Sequence, residues 1–123
     1  MASIIILTGD QKGDYYPLGQ RTNVIGRDEA LPIQILDEQV SRKHLQISFK
    51  KDKGQHYALD MKSKHGVFIN GQKINKETVL VDSDQILIGQ TTLLFTDKYL
   101  SNRESALSHF KKAGERIRPT YIE

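Results

Sequence analysis

The segment Leu45-Gln46-Ile47-Ser48-Phe49-Lys50 alternates apolar and polar residues without interruption. Successive side chains of a β-strand point to opposite faces, so this spacing predicts that Leu45, Ile47 and Phe49 share one buried face. The opposite face is polar, which is typical of an antiparallel sheet with one side in solvent. The segment therefore predicts a strand that covers one side of a hydrophobic core.

Further β-type segments lie on both sides of this strand and are separated by turn residues. Asn70-Gly71 is the clearest turn, because this dipeptide between two apolar segments is the strongest signal of a two-residue hairpin. The candidate strands cover residues 3–8, 15–18, 22–25, 33–35, 44–51, 56–60, 67–69, 72–74, 85–88 and 92–95. This succession predicts an all-β sandwich domain over residues 1–97.

The spacing of apolar residues changes after Asp97. Ser101 followed by Glu104 forms a capping box, and Pro119 ends the pattern. Between them, the residues that recur at helical intervals are Ala106, Phe110, Ala113 and Ile117. Residues 98–123 are therefore predicted to contain an amphipathic helix and a tail, with one apolar stripe packed on the sandwich or on a partner.

The composition restricts the class of protein. A chain of 123 residues has the length of one domain, and its 37% hydrophobic and 27% charged residues are typical of a globular protein. It contains no cysteine, which excludes disulfides and thiolate metal sites. The apolar segment at residues 4–7 is too short for a membrane span or a signal sequence. We expect a soluble cytoplasmic protein that does not bind membranes.

Motifs typical of enzymes are missing from the sequence. It has no phosphate-binding loop ending in Lys-Ser/Thr, no Gly-x-Ser-x-Gly turn and no His-Glu-x-x-His pair. The four histidines, at positions 44, 56, 65 and 109, have no metal-ligand spacing. We therefore expect a protein that is not an enzyme and has neither a metal site nor a cofactor.

Polar residues of complementary chemistry are concentrated in three loops. These are Gly26-Arg27, Ser41-Arg42-Lys43-His44 and Ser63-Lys64-His65-Gly66. A phosphothreonine has about −1.5 to −2 charges and three acceptor oxygens, which suits a guanidinium, a hydroxyl and backbone amides near glycine. Arg27 and Ser41 are the first candidates for contacts to such a phosphate.

In this order within a β-rich chain, Gly26-Arg27, Ser41 to His44, Asp60, Ser63, His65-Gly66 and Asn70-Gly71 resemble a forkhead-associated (FHA) domain. The resemblance covers about residues 3 to 97. It implies an eleven-stranded sandwich whose loops at one end bind phosphothreonine peptides. Matching positions imply that phosphopeptide contacts come from Arg27, Ser41, Arg42, Lys64 and His65. They imply supporting roles for Gly26, His44, Asn70 and Gly71, which keep the loops in shape.

Three positions depart from the usual pattern of that family. His65 stands where Asn is most common, Val67 where Thr is common, and Lys64 where a small hydroxyl residue is common. An Asn amide both donates and accepts hydrogen bonds, whereas imidazole does so only when neutral. The departures imply weaker or pH-sensitive binding, and the Lys64 charge implies a preference for an acidic or doubly phosphorylated ligand.

Structural alternatives exist for each candidate residue. Ser41 is also suited to bonding the local backbone and Arg27 to pairing with Asp28 or Asp37, although phosphate binding is the preferred interpretation for both. For His44 a packed core position is the preferred interpretation. The expected partner is a phosphothreonine-containing protein, such as a Ser/Thr kinase or its substrate. Two other hypotheses stay open. One is a phospho-independent protein-protein adaptor with a degenerate phosphate pocket, and the other is nucleic-acid binding, which the net charge of +3 favours only weakly.

Overall fold

A computed structural model describes residues 2–98, and this part of the chain contains eleven strands and no helix. In chain order they are β1 (Ser3–Ile6), β2 (Tyr15–Pro17), β3 (Thr22–Gly26), β4 (Ile33–Gln34), β5 (Leu45–Lys50), β6 (Gln55–Asp60), β7 (Val67–Ile69), β8 (Gln72–Lys73), β9 (Thr78–Val79), β10 (Gln85–Ile88) and β11 (Thr91–Thr96). The predicted C-terminal helix lies outside the described residues.

The strands form two sheets. One has six strands in the order β2-β1-β11-β10-β7-β8, and the other has five in the order β4-β3-β5-β6-β9. The prediction of an all-β sandwich is therefore confirmed for residues 2–98. All ten candidate strands are present, with ends that differ from the predicted ones by at most two residues. The sequence analysis missed β9, which is only two residues long and therefore has no detectable alternation.

The core lies between the inner faces of the two sheets. Leu45 and Ile47 of β5 are completely buried there, as the alternation predicted, and Phe49 is half-buried. The opposite sheet contributes Ile4 and Ile6 of β1 to the same hydrophobic cluster. Each such side chain contributes about 1.5–3 kcal/mol through burial, so the core is the main source of the stability that holds the loops.

The Asn70-Gly71 turn connects β7 and β8 as predicted. Phe68 pairs with Lys73 and Ile69 with Gln72, which leaves two residues in the turn. Asn70 has a φ of 50° and Gly71 a φ of 86°. Two consecutive positive φ values are what a tight hairpin turn requires, and Asn and Gly are the residues that adopt them most easily.

The parallel pairing of β3 with β4 directs two loops to the same end of the sandwich. Ile25 pairs with Ile33 and Gly26 with Gln34, so both strands end on the same side. The other three pairings in this sheet are antiparallel. Because β5 starts where β3 and β4 end, residues 27–32 and 35–44 lie near each other. No helix among residues 2–98 has the length and hydropathy of a membrane span.

Candidate functional site

The loop after β3 crosses the loop before β5 in direct backbone contact. The Arg27 amide donates to the Ser41 carbonyl oxygen at 3.0 Å, and the Asp28 amide donates to the Arg42 carbonyl oxygen at 3.3 Å. Gly26 lies at this crossing, where a Cβ atom would stand 2.2 Å from the Arg42 carbonyl oxygen. Any side chain at position 26 would separate the loops. Glycine therefore allows Arg27 and Ser41 to be neighbours.

The Arg27 side chain is exposed and is only partly engaged by the protein. Its Nε donates a hydrogen bond to the Val40 carbonyl oxygen at 3.0 Å. Within residues 2–98 the two terminal guanidinium nitrogens have no hydrogen bond or ion pair, so Arg27 pairs with neither Asp28 nor Asp37. The guanidinium is held on one side, and its other nitrogens form a fork that suits two oxygens of one anion.

Ser41 is half-buried and joins two loops. Its Oγ accepts a hydrogen bond from the Lys64 amide at 3.0 Å. A hydroxyl that accepts one bond still has its own proton to donate. The Ser41 side chain thus bonds the backbone, which was the structural alternative for this residue. The bond positions the hydroxyl group and leaves its proton available for donation.

His44 is completely buried and links the same two loops from below. Its Nδ1 accepts from the Ser41 amide at 3.0 Å, and its Nε2 lies 2.7 Å from the Gly66 carbonyl oxygen. A nitrogen that accepts from an amide has no proton, and a carbonyl oxygen can only accept. The contacts therefore require the neutral tautomer with its proton on Nε2. This places His44 in a structural role beneath the site.

The loop between β6 and β7 is held by its own side chains. The Asp60 carboxylate accepts from the Ser63 amide at 3.0 Å, and the Ser63 hydroxyl accepts from the Gly66 amide at 2.9 Å. Lys64 and His65 lie between these two anchors and are both exposed. The loop backbone is therefore constrained, while the two basic side chains face solvent beside Ser41.

Asp37 holds the loop before β5 against the turn between β10 and β11. Its carboxylate accepts from the Gln39 amide, the Gln90 amide and the Thr91 hydroxyl, each at 2.8 Å. Burial alone would raise the pKa of Asp37, but these three hydrogen bonds outweigh it and the pKa is lowered. The Asp37 carboxylate thus has a structural role. It holds the segment that contains Val40, whose carbonyl oxygen accepts the hydrogen bond from Arg27.

Arg42 lies at the outside of the same crossing. Its side chain is 74% exposed, and one terminal nitrogen lies 3.5 Å from Asp28 Oδ2. The pKa of Asp28 is lowered, first by a hydrogen bond from the Ala30 amide and, more weakly, by the Arg42 charge. An exposed pair at this distance contributes little to stability. Arg42 therefore stands beside the site with its charge partly compensated.

Together, the loops present donors around a small area of surface. Arg27, Ser41, Lys64 and His65 supply guanidinium, hydroxyl, ammonium and imidazole groups, and Lys43 is exposed on the same loop as Ser41. Such donors suit a compact, highly charged oxyanion. Within residues 2–98 there is no group of three or more histidine, aspartate and glutamate side chains that could hold a metal ion.

Comparison with protein families gives a match to the model of the FHA domain over residues 23–89. The chain belongs to the FHA domain family. The matched region runs from β3 to the turn after β10 and includes all three loops described above. The resemblance noted from the sequence is therefore confirmed.

Individual relatives agree with this assignment. The oxoglutarate dehydrogenase inhibitor of Corynebacterium jeikeium is 31% identical over 94 residues, which cover 76% of this chain and 63% of that protein. An FHA domain from the CT664 protein of Chlamydia trachomatis has a TM-score of 0.74 and 26% identity, with 80% of this chain and 98% of that chain covered. A structure determined for phosphothreonine-dependent FHA domain interactions has a TM-score of 0.70 and 25% identity, with the same coverage.

Asn70 and Gly71 of this FHA domain lie away from the other candidate residues. Three residues of β7, about 10 Å in length, separate them from the loop that contains His65. The Asn70 side chain bonds Asp84 at 2.9 Å and accepts from the Gln85 amide at 3.0 Å. The sequence analysis gave Asn70 and Gly71 a supporting role that keeps the loops in shape. The bonds of Asn70 hold the turn between β7 and β8 to the start of β10, and not the loops that contain Arg27 and Ser41.

The sequence analysis of this FHA domain also undervalued Asp37. It named Asp37 as a possible partner of Arg27, whereas the structure shows an anchor for residues 36–40 and for the Gln90-Thr91 segment. Part of the signal was local, because an aspartate that bonds the amide two residues later is a common turn motif. The contact to Gln90 and Thr91 spans more than 50 residues and has no sequence signal.

Proposed function

We propose that this FHA domain is a phosphothreonine-peptide-binding adaptor in Ser/Thr kinase signalling, which acts in the cytoplasm and catalyses no reaction. Residues 1–97 would form the binding domain, and residues 98–123 would form the appended amphipathic helix and tail. The chain spans about three fifths of the length of the curated relatives it matches. The proposal therefore concerns this binding module.

One observation carries the proposal. The backbone bond between the Arg27 amide and the Ser41 carbonyl oxygen, 3.0 Å long, fixes these two residues beside each other. The Arg27 terminal nitrogens lack partners within residues 2–98, and the Ser41 hydroxyl has a proton to donate. A phosphate dianion would receive two bonds from the guanidinium and one from the hydroxyl, an arrangement that needs no loop movement.

Flanking residues would read the peptide around the phosphate. Lys64 adds a point charge next to Ser41, and His65 lies beside it where a peptide backbone would pass. Arg42 would contribute its amide or its partly compensated charge. We infer the preference for phosphothreonine from the similar structure that was determined for phosphothreonine-dependent FHA domain interactions. A Ser/Thr kinase or one of its substrates is the class of partner that would carry such a residue.

The proposal is tested with a phosphothreonine peptide library and Arg27→Ala. Two charge-assisted hydrogen bonds contribute about 3 kcal/mol together, so we expect about a 100-fold loss of affinity for the best peptide. Ser41→Ala should cause about a tenfold loss. Isothermal titration calorimetry measures both, and thermal unfolding shows whether the variants remain folded.

Arg21→Ala is the matched control. Arg21 is an exposed arginine that precedes β3, whereas Arg27 follows the same strand, so the two differ mainly in the end of the sandwich they occupy. We expect Arg21→Ala to bind normally. A library with no preference for phosphothreonine, or partner capture unchanged by Arg27→Ala, would favour the phospho-independent adaptor instead.

A further inference from the structure

The outer face of the six-stranded sheet contains apolar side chains that are completely buried. Along β1 and β11 the residues alternate, and Ile5 and Leu94 point away from the core that contains Ile4, Ile6 and Leu93. Ile5 and Leu94 are directly paired across the two strands. Both have 0% exposure although they belong to the outer face.

The outer face of the five-stranded sheet is different. Gln46, Ser48 and Lys50 of β5 are polar and half-buried, which is typical of a sheet surface in contact with water. On the six-stranded sheet, moreover, burial changes from strand to strand. Leu87 of β10 is 37% exposed, and Phe68 of β7 is half-buried beside an open groove of about 390 Å³. The burial of Ile5 and Leu94 is therefore local to β1 and β11.

Neighbours within the same layer do not explain this burial. The apolar residues packed with Ile5 and Leu94 are Leu7 and Tyr15, which stand on β2 or at the end of β1 at the same height above the sheet. Side chains on a sheet stand roughly perpendicular to it, so neighbours of equal height leave the upper surface open. The face therefore requires a cover from above.

The sequence that follows the described residues has the length of such a cover. β11, which contains Leu94, ends at Thr96, so the chain beyond residue 98 begins close to the edge of this face. A helix from Ser101 to the residue before Pro119 would be about 27 Å long at 1.5 Å per residue. β11 spans about 20 Å. A single helix running back over the sheet would thus cross the whole face.

We propose that residues 99–123 dock as a helix on the outer face formed by Ile5, Leu94, Leu7 and Tyr15, and make a third layer on the sandwich. The apolar stripe of Ala106, Phe110, Ala113 and Ile117 contacts this patch, and the groove beside Phe68 and Leu87 borders the helix. The charged residues of the segment, such as Lys111 and Lys112, face solvent. This docking is separate from the phosphate site, because the patch lies on a sheet face and not among the loops.

A spin label tests the placement directly in the full chain. The protein has no cysteine, so Ser108→Cys provides one attachment point for a nitroxide. We expect strong broadening of the methyl signals of Ile5 and Leu94, with no effect on Val24 and Leu59 of the other sheet's outer face. Unchanged Ile5 and Leu94 signals would overturn the proposal. Broadening that occurs only between separately labelled and isotope-enriched molecules would also overturn it, since a second copy would then be the cover.

A pair of substitutions tests the apolar stripe. Phe110→Asp should remove the broadening and weaken the hydrogen-exchange protection of β1 and β11 amides about tenfold or more, because an aromatic anchor is lost. Lys111→Gln changes the charge of the neighbouring residue by the same one unit and should alter neither measurement. Equal effects of the two variants, or none from Phe110→Asp, would contradict the docking. Phosphothreonine peptide affinity should stay unchanged in both.

Discussion

The two ends of the sandwich are held together by similar hydrogen bonds but present different groups to solvent. At the end near β8, the Asp84 carboxylate accepts from the Asn70 side chain and from the Val81 amide, both at 2.9 Å. At the loop end, His44 and Ser41 bind backbone groups, yet Arg27 keeps two terminal nitrogens that no residue of 2–98 engages. A network of polar hydrogen bonds alone therefore does not identify a binding site. The binding site is identified by hydrogen-bond donors that have no partner in the network that holds the loops.

We expect the largest difference between the two ends when one glycine at each end, Gly26 or Gly71, is replaced by alanine. Gly26→Ala places a methyl group 2.2 Å from the Arg42 carbonyl oxygen, a backbone atom that cannot move without separating the loops. We expect a loss of about 3 kcal/mol of stability, measured by denaturant unfolding, together with loss of phosphopeptide binding. At the opposite end Gly71 has a φ of 86° and open space around its Cβ position. Gly71→Ala should cost about 1 kcal/mol through strain alone and leave binding intact.

Equal losses at the two positions would contradict the crossing as the source of the effect. Binding that survives Gly26→Ala in a folded protein would show that the spacing between Arg27 and Ser41 is not what the ligand requires. A calorimetric titration on each purified variant separates these outcomes from simple unfolding.

Residues close in sequence were predicted well, and distant contacts were not. The alternation over 45–50 and the Asn70-Gly71 turn depend on neighbouring residues, so the sequence was sufficient for both. The parallel pairing of β3 with β4 depends on which strands meet in space, and a two-residue strand has too little pattern to reveal it. For the same reason the sequence did not show which segment Asn70 holds, since its partners Asp84 and Gln85 lie 14 and 15 residues away. For the loop end, the chemistry of the side chains singled out Arg27 and Ser41, and the family resemblance implied that their loops meet at one end.

A second pair of variants separates binding from stability. His44→Ala removes a buried side chain that bonds the Ser41 amide and the Gly66 carbonyl oxygen, so we expect a loss of about 2 kcal/mol and about tenfold weaker peptide binding. Asn70→Ala removes two hydrogen bonds at the far end and should also destabilise, by about 1–2 kcal/mol, without changing affinity. Chemical unfolding and fluorescence anisotropy with a labelled phosphopeptide measure the two quantities. Weaker binding by Asn70→Ala would show that the ends are coupled.

The smallest effect concerns a carboxylate at the loop end that resembles Asp84 in its role. The pKa of Asp37 is lowered because its three hydrogen bonds outweigh burial. The charged form is thus favoured in the folded protein, and its contribution is present above the unfolded-state pKa of about 4. It is lost as the pH falls through the lower folded-state pKa. Asp37→Asn should therefore be about 1 kcal/mol less stable at neutral pH, and this deficit should shrink below about pH 4.

Urea unfolding at a series of pH values measures this deficit, and Glu29→Gln is the control, because Glu29 is an exposed acid on a neighbouring loop. Glu29→Gln should follow the wild-type curve at every pH. A deficit for Asp37→Asn that is independent of pH would mean that the hydrogen-bonded shape of the side chain matters and its charge does not. Peptide affinity should fall only a few-fold, since Asp37 acts on the ligand through the loop that positions Val40 and Arg27. If the deficit of Asp37→Asn does shrink at low pH, the loop end of the sandwich contains two charges with different roles. The Asp37 carboxylate holds the loop, and the Arg27 guanidinium is available to the ligand.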